Sequence, residues 1–260
     1  MAGTGVERRA KRALERQLIY QQRKAARIRG QEAETMAAMA AHSAEVRRRL
    51  EQIRPLRRDT RVLEVGSGAH GLIFFFEASQ RVGVDPLADE YRSLFPAWQA
   101  KAETIACGGE KLPFADASFD VVLCDNVVDH AARPRRIVEE MARVLAPGGL
   151  LYFTVNVHHP LYEGAAKLHA AWRWLGVPLE ITPFADHTVH LTIDRARALL
   201  AGLPLRIVAE SDTIAETKEQ GRAAPRRHPG DALKRWFFKN ARWEVIAVRE
   251  DELAPAPRSS

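Results

Sequence analysis

The glycines Gly66 and Gly68 and the acid Asp85 are the residues whose types and spacing first indicate chemistry. Glycine allows positive φ angles and lets a ligand approach the main chain closely. A β-rich run at 61–65 leads into the glycines, and a second run at 81–84 ends at Asp85. Strand, glycine turn, helix, strand and acid make up half of a nucleotide-binding fold, in which the acid hydrogen-bonds a ribose. The spacing therefore predicts a site for a ribose-containing cofactor.

Glu64 helps to decide which cofactor this is. Residues 66–71 satisfy G-x-G-x-x-G, which taken alone is a weak sign of a dinucleotide site. A carboxylate at Glu64, at the end of the strand before the first glycine, would repel a pyrophosphate. The same charge suits a ligand that carries an ammonium and a sulfonium and no phosphate. Glu64 thus favours S-adenosylmethionine over a dinucleotide.

Four sequence blocks, in their order and spacing, resemble the class I S-adenosylmethionine-dependent methyltransferases, in particular the small-molecule type with a Leu-Pro-Phe block (methyltransferase type 11-like). The blocks are residues 64–68, 110–116, 118–122 and 143–149. The resemblance covers about residues 60–155 and continues more loosely to about residue 250. It implies an α/β fold with a doubly wound, seven-stranded Rossmann-like sheet. S-adenosylmethionine is the implied cofactor.

The resemblance and physical need together suggest which residues bind the cofactor. Glu64 is expected to meet the ammonium through water or backbone amides, and Asp85 to accept hydrogen bonds from both ribose hydroxyls. The remaining expected contacts lie in the glycine turn and at the ends of the second, third and fourth strands: Gly66, Ser67, Gly68, Pro86, Leu87, Gly109, Glu110, Lys111, Leu112, Asp125 and Asn126.

Gly108 departs from the resembled family, whose members often carry an aspartate there that contacts the adenine amino group. Glu110 or backbone atoms are the alternatives for that contact. Adenine is expected to lie near Pro86, Leu87 and residues 109–112.

His130, with Asp129 beside it, is the candidate general base or substrate-orienting residue. It matches the histidine often found in this block of the resembled family. A neutral imidazole can accept a proton near pH 7. A structural histidine that hydrogen-bonds a loop carbonyl is the alternative.

An insertion after the fifth strand is predicted to cover the site as a lid and to line an acceptor pocket. The side chains expected to line it are His158, His159, Tyr162, His187 and His190. The last two have H-x-x-H spacing, but no cysteine or carboxylate set completes a metal site, so no metal is predicted.

Composition limits the class of protein. The chain has 260 residues, 46% of them hydrophobic, and no uninterrupted apolar run long enough to span a membrane. Its N-terminus has no apolar region typical of a secretory signal. Cys107 and Cys124 lie in apolar, strand-like contexts, which predicts reduced core thiols and a cytoplasmic location.

The net charge of +6 is concentrated in the N-terminal arm. Residues 1–50 contain twelve Arg or Lys and five Glu, so the rest of the chain is close to neutral. The arm has no interleaved Phe, Trp or Tyr beyond Tyr20, and a nucleic-acid partner is therefore not expected.

The predicted organisation is a helical extension over 1–55, a cofactor-binding domain over 56–250 with the lid at 157–200, and a disordered tail over 251–260. In the extension, residues 6–29 predict a polar, solvated helix. Residues 31–53 predict a second helix that docks through an apolar stripe: Met36, Met39, Val46, Leu50 and Ile53.

In the domain, further strands are expected at 104–107, 119–126 and 150–157, with one helix ending near Trp98 and another at 134–145. Thr192 is expected to cap a helix that ends at Leu200. The runs at 205–210 and 243–248 predict a final antiparallel pair.

The predicted function is methyl transfer to a small-molecule acceptor, at oxygen, nitrogen or carbon in that order. One alternative is an RNA- or protein-modifying methyltransferase that uses the basic arm. Another is a cofactor-binding regulator or assembly subunit without catalysis. A dinucleotide oxidoreductase comes last, because Glu64 and the later blocks oppose it.

Overall fold

A seven-stranded mixed sheet organises the chain, in the order β3-β2-β1-β4-β5-β7-β6. The computed structural model describes residues 5–28, 32–161, 191–223, 238 and 240–251. Strands β1 to β5 run parallel, whereas β7 is antiparallel to both β5 and β6. The strands are β1 Arg61–Val65, β2 Gln80–Asp85, β3 Glu103–Ala106, β4 Phe119–Asp125, β5 Leu145–Val157, β6 Leu205–Asp212 and β7 Ala241–Arg249.

Helices cover both faces of the sheet, because its central strands are apolar on both sides. In β4, Val121 and Leu123 face one core cluster while Val122 and Cys124 face the other. The helices are α1 Gly5–Ile28, α2 Glu32–Glu51, α3 Ala88–Leu94, α4 Pro96–Gln99, α5 Pro134–Val144, α6 Ile193–Ala198 and α7 Ile214–Ala223. Helices α2 and α3 pack on the first cluster, and α5 and α6 on the second.

The predicted fold class is confirmed, with differences of a few residues at the strand ends. The final two strands form the expected antiparallel pair over seven residue pairs. Thr192 caps α6 by accepting a hydrogen bond from the backbone N–H of Arg195. Strand β5 begins at Leu145 rather than residue 150, because the chain re-enters the sheet directly after α5.

The helix predicted after the glycine turn is only a 3-10 turn, Leu72–Phe74. Leu72, Ile73, Phe74 and Phe76 are all buried, so this segment has no polar face to present to solvent as an α-helix would. The single helix expected up to Trp98 is also divided in two. The break falls at Phe95, where the following proline disfavours α-helical backbone.

The N-terminal helices dock on the domain. In α2, Val46 and Leu50 are buried as predicted, but Ile53 lies beyond the end of the helix and is 37% exposed. Including Ile53 in the docked stripe was therefore wrong. Helix α1 is not fully solvated, since Leu18 and Ala25 pack against the domain core. Residues 162–190 of the predicted lid and the tail from residue 252 lie outside the described residues.

Candidate functional site

The glycine turn and two acids meet at one edge of the sheet, because parallel strands β1, β2 and β4 all end there. The turn is fastened to β2 by hydrogen bonds from the backbone N–H groups of Gly66 and Ser67 to the Val84 carbonyl, at 2.7 and 3.1 Å. Asp85 ends β2 and Asp125 ends β4. The predicted cofactor residues of these three strands are thus neighbours.

The glycines of the turn have different roles. Gly66 has φ +75°, and a Cβ there would lie 2.4 Å from both methyl groups of Val127, which follows β4. Gly68 has φ +55°, yet a Cβ there would come no closer than 4.0 Å to another group. Gly66 therefore permits tight packing, while Gly68 leaves the backbone open to a ligand. The Ser67 side chain is buried against Gly83, so only its backbone can meet a cofactor.

Glu64 lies under the turn, 1% exposed. Its two carboxyl oxygens accept hydrogen bonds from the backbone N–H groups of Leu72 (3.1 Å) and Ile73 (2.9 Å). Burial, with smaller contributions from the charges of Asp125 and Asp85, raises the pKa of Glu64 to about 8 although these hydrogen bonds lower it. A cation arriving at this edge would favour the ionised form.

Asp85 also binds backbone amides. It accepts hydrogen bonds from Gly68 N–H at 3.1 Å and Leu87 N–H at 2.8 Å. Burial raises the pKa of Asp85 despite these bonds, and the nearby Glu90 charge adds to the effect. Additional hydroxyl donors would stabilise its charged form. A ribose therefore fits here, because the Gly68 backbone is open and the buried Asp85 carboxylate can accept further hydrogen bonds. Leu87 is buried beside them, directly after Pro86.

Asp125 has a different environment. Burial alone would raise its pKa, but hydrogen bonds from His42 and Thr154 hold the pKa of Asp125 below its ordinary value. The distances are 3.3 Å to His42 Nε2 and 2.5 Å from Thr154 Oγ1. The next residue, Asn126, has φ +58° and donates its N–H to the Thr154 carbonyl. Asp125 is thus a stable carboxylate at this edge.

The segment expected near adenine follows β3. A Cβ at Gly109 would lie 2.9 Å from Val65 Cγ1, so this glycine allows close packing against β1. Leu112 is buried, and its N–H donates to Glu140 at 2.8 Å. Glu110 lies near Gly108, where a Cβ would be 3.1 Å from its Oε2, whereas Lys111 is exposed. Any adenine contact by these residues stays a prediction.

His130 and Asp129 lie in a 3-10 turn, Val128–His130, close to the end of β4. The His130 side chain is 46% exposed, while Asp129 is fully buried. His130 Nε2 lies 3.9 Å from an Asp129 carboxyl oxygen. The histidine can therefore reach solvent or an acceptor while the acid stays inside, but its catalytic role stays a prediction.

The predicted acceptor-pocket residues are only partly described. His158 is buried in the core, where its Nδ1 accepts the Asn240 N–H at 3.3 Å. His159 packs edge-to-face on Phe238, with ring centroids 5.5 Å apart. Tyr162, His187 and His190 lie outside the described residues. The pocket lining therefore stays a prediction.

Sequence reasoning missed two contacts made by the N-terminal helices. His42 of α2 reaches Asp125, and Lys24 of α1 reaches the glycine turn, with its Nζ 3.4 Å from His70 Nδ1. His70 packs against Phe95 and Trp98, with ring centroids 4.5 Å away in both cases. Burial, and next the Lys24 charge, lower the pKa of His70 to about 4. Of these contact residues, only His70 could have been placed near the site from the sequence, because it lies within the glycine turn.

The described parts of the chain contain neither a cluster of metal ligands nor a membrane-spanning helix. No group of three or more His, Cys, Asp or Glu side chains is arranged there to hold a metal ion. None of the helices described there is both long and apolar enough to cross a bilayer. Cys107 and Cys124 are both free, and only Cys124 is fully buried.

The strand order, the antiparallel β7, the glycine turn and the acid that ends β2 are features of the Rossmann-like fold of class I S-adenosylmethionine-dependent methyltransferases. Residues 63–153 match the family model described as a methyltransferase domain. The chain is 39% identical over 138 residues to an uncharacterized methyltransferase of Mycolicibacterium gilvum, covering 52% of this chain and 46% of that protein. It is 35% identical over 133 residues to one of Mycobacterium sp. strain JLS, covering 50% and 44%. The chain thus spans about half the length of these curated relatives.

Solved structures support the fold. The YcgJ protein of Bacillus subtilis superimposes with a TM-score of 0.55 at 17% identity, covering 82% of this chain and 100% of that one. Geranyl diphosphate C-methyltransferase of Streptomyces coelicolor, solved with Mg²⁺, geranyl diphosphate and S-adenosylhomocysteine, has a TM-score of 0.53 at 15% identity, covering 74% and 73%. At these identities the likeness shows the fold alone.

Proposed function

We propose that the protein transfers a methyl group from S-adenosylmethionine to a small-molecule acceptor, with oxygen as the favoured acceptor atom. The observation that carries this proposal is the edge where Asp85 and Asp125 lie beside a glycine turn that is open at Gly68. This combination suits a ribose next to a cationic amino-acid group. The family match supports the same cofactor.

The chain's own residues supply binding and orientation. Asp85 would hold the ribose hydroxyls, and the Gly68 backbone would lie against the methionyl chain. Glu64, held in place by the Leu72 and Ile73 N–H groups, would compensate the charge of the ammonium. When bound, the cofactor supplies an electrophilic methyl group on a positively charged sulfur. The protein then aligns the acceptor and excludes water.

Two histidines are candidates for removing the acceptor's proton. His130 carries the sequence-based prediction, and its exposed ring next to Asp129 is compatible with it. His42 is the structural candidate. Because Asp125 is held ionised, His42 Nε2–H donates to it, which leaves Nδ1 with the lone pair that accepts a proton. Asp125 would then stabilise the imidazolium.

A small acceptor fits better than a macromolecule. Helix α1 lies against the glycine turn and α2 against Asp125, so both cover the edge where the acceptor must enter. An RNA or a folded protein would have to displace these helices. The basic side chains of the arm are the only support for the macromolecular alternative.

Calorimetric titration with S-adenosylmethionine, S-adenosylhomocysteine and NAD tests the cofactor. We expect binding of the first two and none of NAD. Binding of NAD alone would overturn the proposal. The prediction that the Glu64 charge favours S-adenosylmethionine over a dinucleotide would then be wrong.

Transfer of label from methyl-labelled S-adenosylmethionine tests the acceptor class. The protein is incubated separately with a metabolite extract, total RNA and total protein from one cell culture. We expect label in the metabolite fraction. Label in RNA or protein that falls with added salt would favour the basic-arm alternative.

A further inference from the structure

The inner face of α1 presents a polar stripe to the domain. Gln17, Gln21 and Lys24 lie at i, i+4 and i+7, which places them on one side of the helix. The Tyr91 hydroxyl hydrogen-bonds the Gln17 side chain. Gln21 is 7% exposed, and its amide oxygen has no hydrogen-bond partner among the described residues. A buried amide without a partner is costly in an interface whose only purpose is packing.

The stripe connects two parts of the predicted cofactor site. At one end, Tyr91 is near the ribose acid: burial, and next the charge of Asp85, raise the pKa of Tyr91. At the other end, Lys24 Nζ lies 3.4 Å from His70 in the glycine turn. The rise of an α-helix puts roughly 10 Å between Gln17 and Lys24. That length matches the span from a ribose to the end of an attached amino acid.

Charge gives Lys24 a specific role there. The edge carries Asp85 and Asp125, and Glu64 is ionised once a cation binds; these charges suit the ammonium and the sulfonium but repel a carboxylate. Lys24 brings a cation to the turn. His70 is neutral near pH 7, because burial and the Lys24 charge hold its pKa at about 4. It can therefore accept a hydrogen bond from Lys24 and orient the ammonium without competing for an anion.

We propose that the inner face of α1 is part of the cofactor site and that the Lys24 ammonium pairs with the methionyl carboxylate of S-adenosylmethionine. This inference rests on the proposed function and extends it to a helix that the sequence predicted to be solvated. Gln17 then lies toward the ribose end, and Gln21 faces the middle of the ligand, where its buried amide finds a partner.

The test compares two ligands that differ only in the carboxylate, S-adenosylmethionine and its decarboxylated form. Calorimetry of the full chain is run on wild type, Lys24→Ala and Lys24→Arg. We expect Lys24→Ala to weaken S-adenosylmethionine binding about tenfold, as for loss of a partly exposed charged hydrogen bond. Binding of the decarboxylated ligand should stay within about twofold or tighten, and Lys24→Arg should restore most of the loss.

Arg23→Ala is the matched control, since Arg23 is an exposed cation on the same helix. It should leave both affinities unchanged. Equal weakening by both alanine variants would indicate a general charge effect and overturn the pairing. If Lys24→Ala weakened binding of both ligands equally, Lys24 would act by docking helix α1 and not by pairing with the carboxylate. Unchanged binding of both ligands in Lys24→Ala would also refute the pairing. If wild type binds neither ligand, the proposed function fails, and this inference fails with it.

Discussion

The two N-terminal helices contact the same domain in different ways. Helix α2 buries Val46 and Leu50, and Ser43 donates to the Leu72 carbonyl at 3.0 Å. Among the described side chains of helix α1 (residues 14–26), Leu18 and Ala25 make partly buried apolar contacts, and Gln17 and Lys24 make polar ones. The difference indicates that α2 is an integral part of the fold, whereas α1 is a cover whose polar inner face is suited to a ligand.

Helix α2 is also attached to the sheet by an ion pair with a buried acid on β7. Glu244 is 3% exposed and forms an ion pair with Arg49 of α2. It also accepts a hydrogen bond from the buried Tyr152 hydroxyl at 2.8 Å. Removing Arg49 would leave a carboxylate inside the protein with weaker compensation, since Arg242 is 3.9 Å away.

The largest expected effect follows from this attachment. Arg49→Ala should lower the free energy of unfolding by about 2–3 kcal/mol, because a buried charge loses its partner. Urea denaturation measures the change. Arg48→Ala, which removes an exposed arginine paired with Glu45 on the same helix, should leave the midpoint unchanged. If the two variants had similar urea midpoints, the conclusion that α2 is an integral part of the fold would be wrong.

The second prediction concerns the ligand rather than the fold. Asp85→Ala should weaken binding of S-adenosylhomocysteine by about 1.5–3 kcal/mol, since a charged acceptor of the ribose hydroxyls is lost. Calorimetry measures the affinity. Asp89→Ala, at an exposed acid on α3, is the control and should bind normally. Normal affinity in Asp85→Ala would refute the ribose assignment.

Glu64 should link cofactor binding to protons. Its pKa of about 8 means that it is largely protonated at pH 7 in the free protein. The ligand's ammonium lowers that pKa, so binding of S-adenosylmethionine should release a fraction of one proton. Calorimetry at pH 7 in buffers with different ionisation enthalpies measures this release.

Two controls isolate the contribution of Glu64. In Glu64→Gln the proton release should disappear, because position 64 no longer titrates. In wild type, 5′-methylthioadenosine has no ammonium and should release almost none. Release that is unchanged in Glu64→Gln would assign the proton to another group.

The smallest effect is expected at Asp125. His42→Ala should raise the pKa of Asp125, because the effect of burial is then less opposed. Carboxyl carbon NMR titration of ¹³C-labelled aspartate detects the shift, with Asp125→Asn to assign the signal. Thr154→Val should raise the pKa less, since its hydrogen bond contributes less than that of His42. If the pKa of Asp125 did not change in His42→Ala, the His42–Asp125 hydrogen bond would not be formed in solution.

The sheet and the glycine turn were predictable because their signals are local. Short β-rich runs punctuated by glycine and proline gave β1 to β5, and Asp85 follows directly from its place at the end of β2. The turn after Gly71 and the division of α3 from α4 were not predicted. Both depend on which side chains find space in the core, and Pro96 gave the only local warning.

Which residues of the N-terminal helices reach the site was not predictable in the same way. His42 reaches Asp125 across 83 positions of sequence, and Lys24 reaches His70 across 46. On a helix rich in polar residues, no pattern tells which of them faces the domain. The sequence correctly predicted that Val46 and Leu50 are buried, because apolar spacing indicates burial. It does not indicate which residue a polar side chain will contact.

The antiparallel β7 has a consequence for synthesis on the ribosome. It pairs with β5 over eight residues and separates β5 from β6, yet it is made after all the other strands. Until residues 241–249 leave the exit tunnel, β5 and β6 each present an unpaired edge of backbone N–H and C=O groups. Such edges are templates for pairing with other chains. A stalled or prematurely ended chain that lacks β7 should therefore aggregate and become a substrate for chaperones.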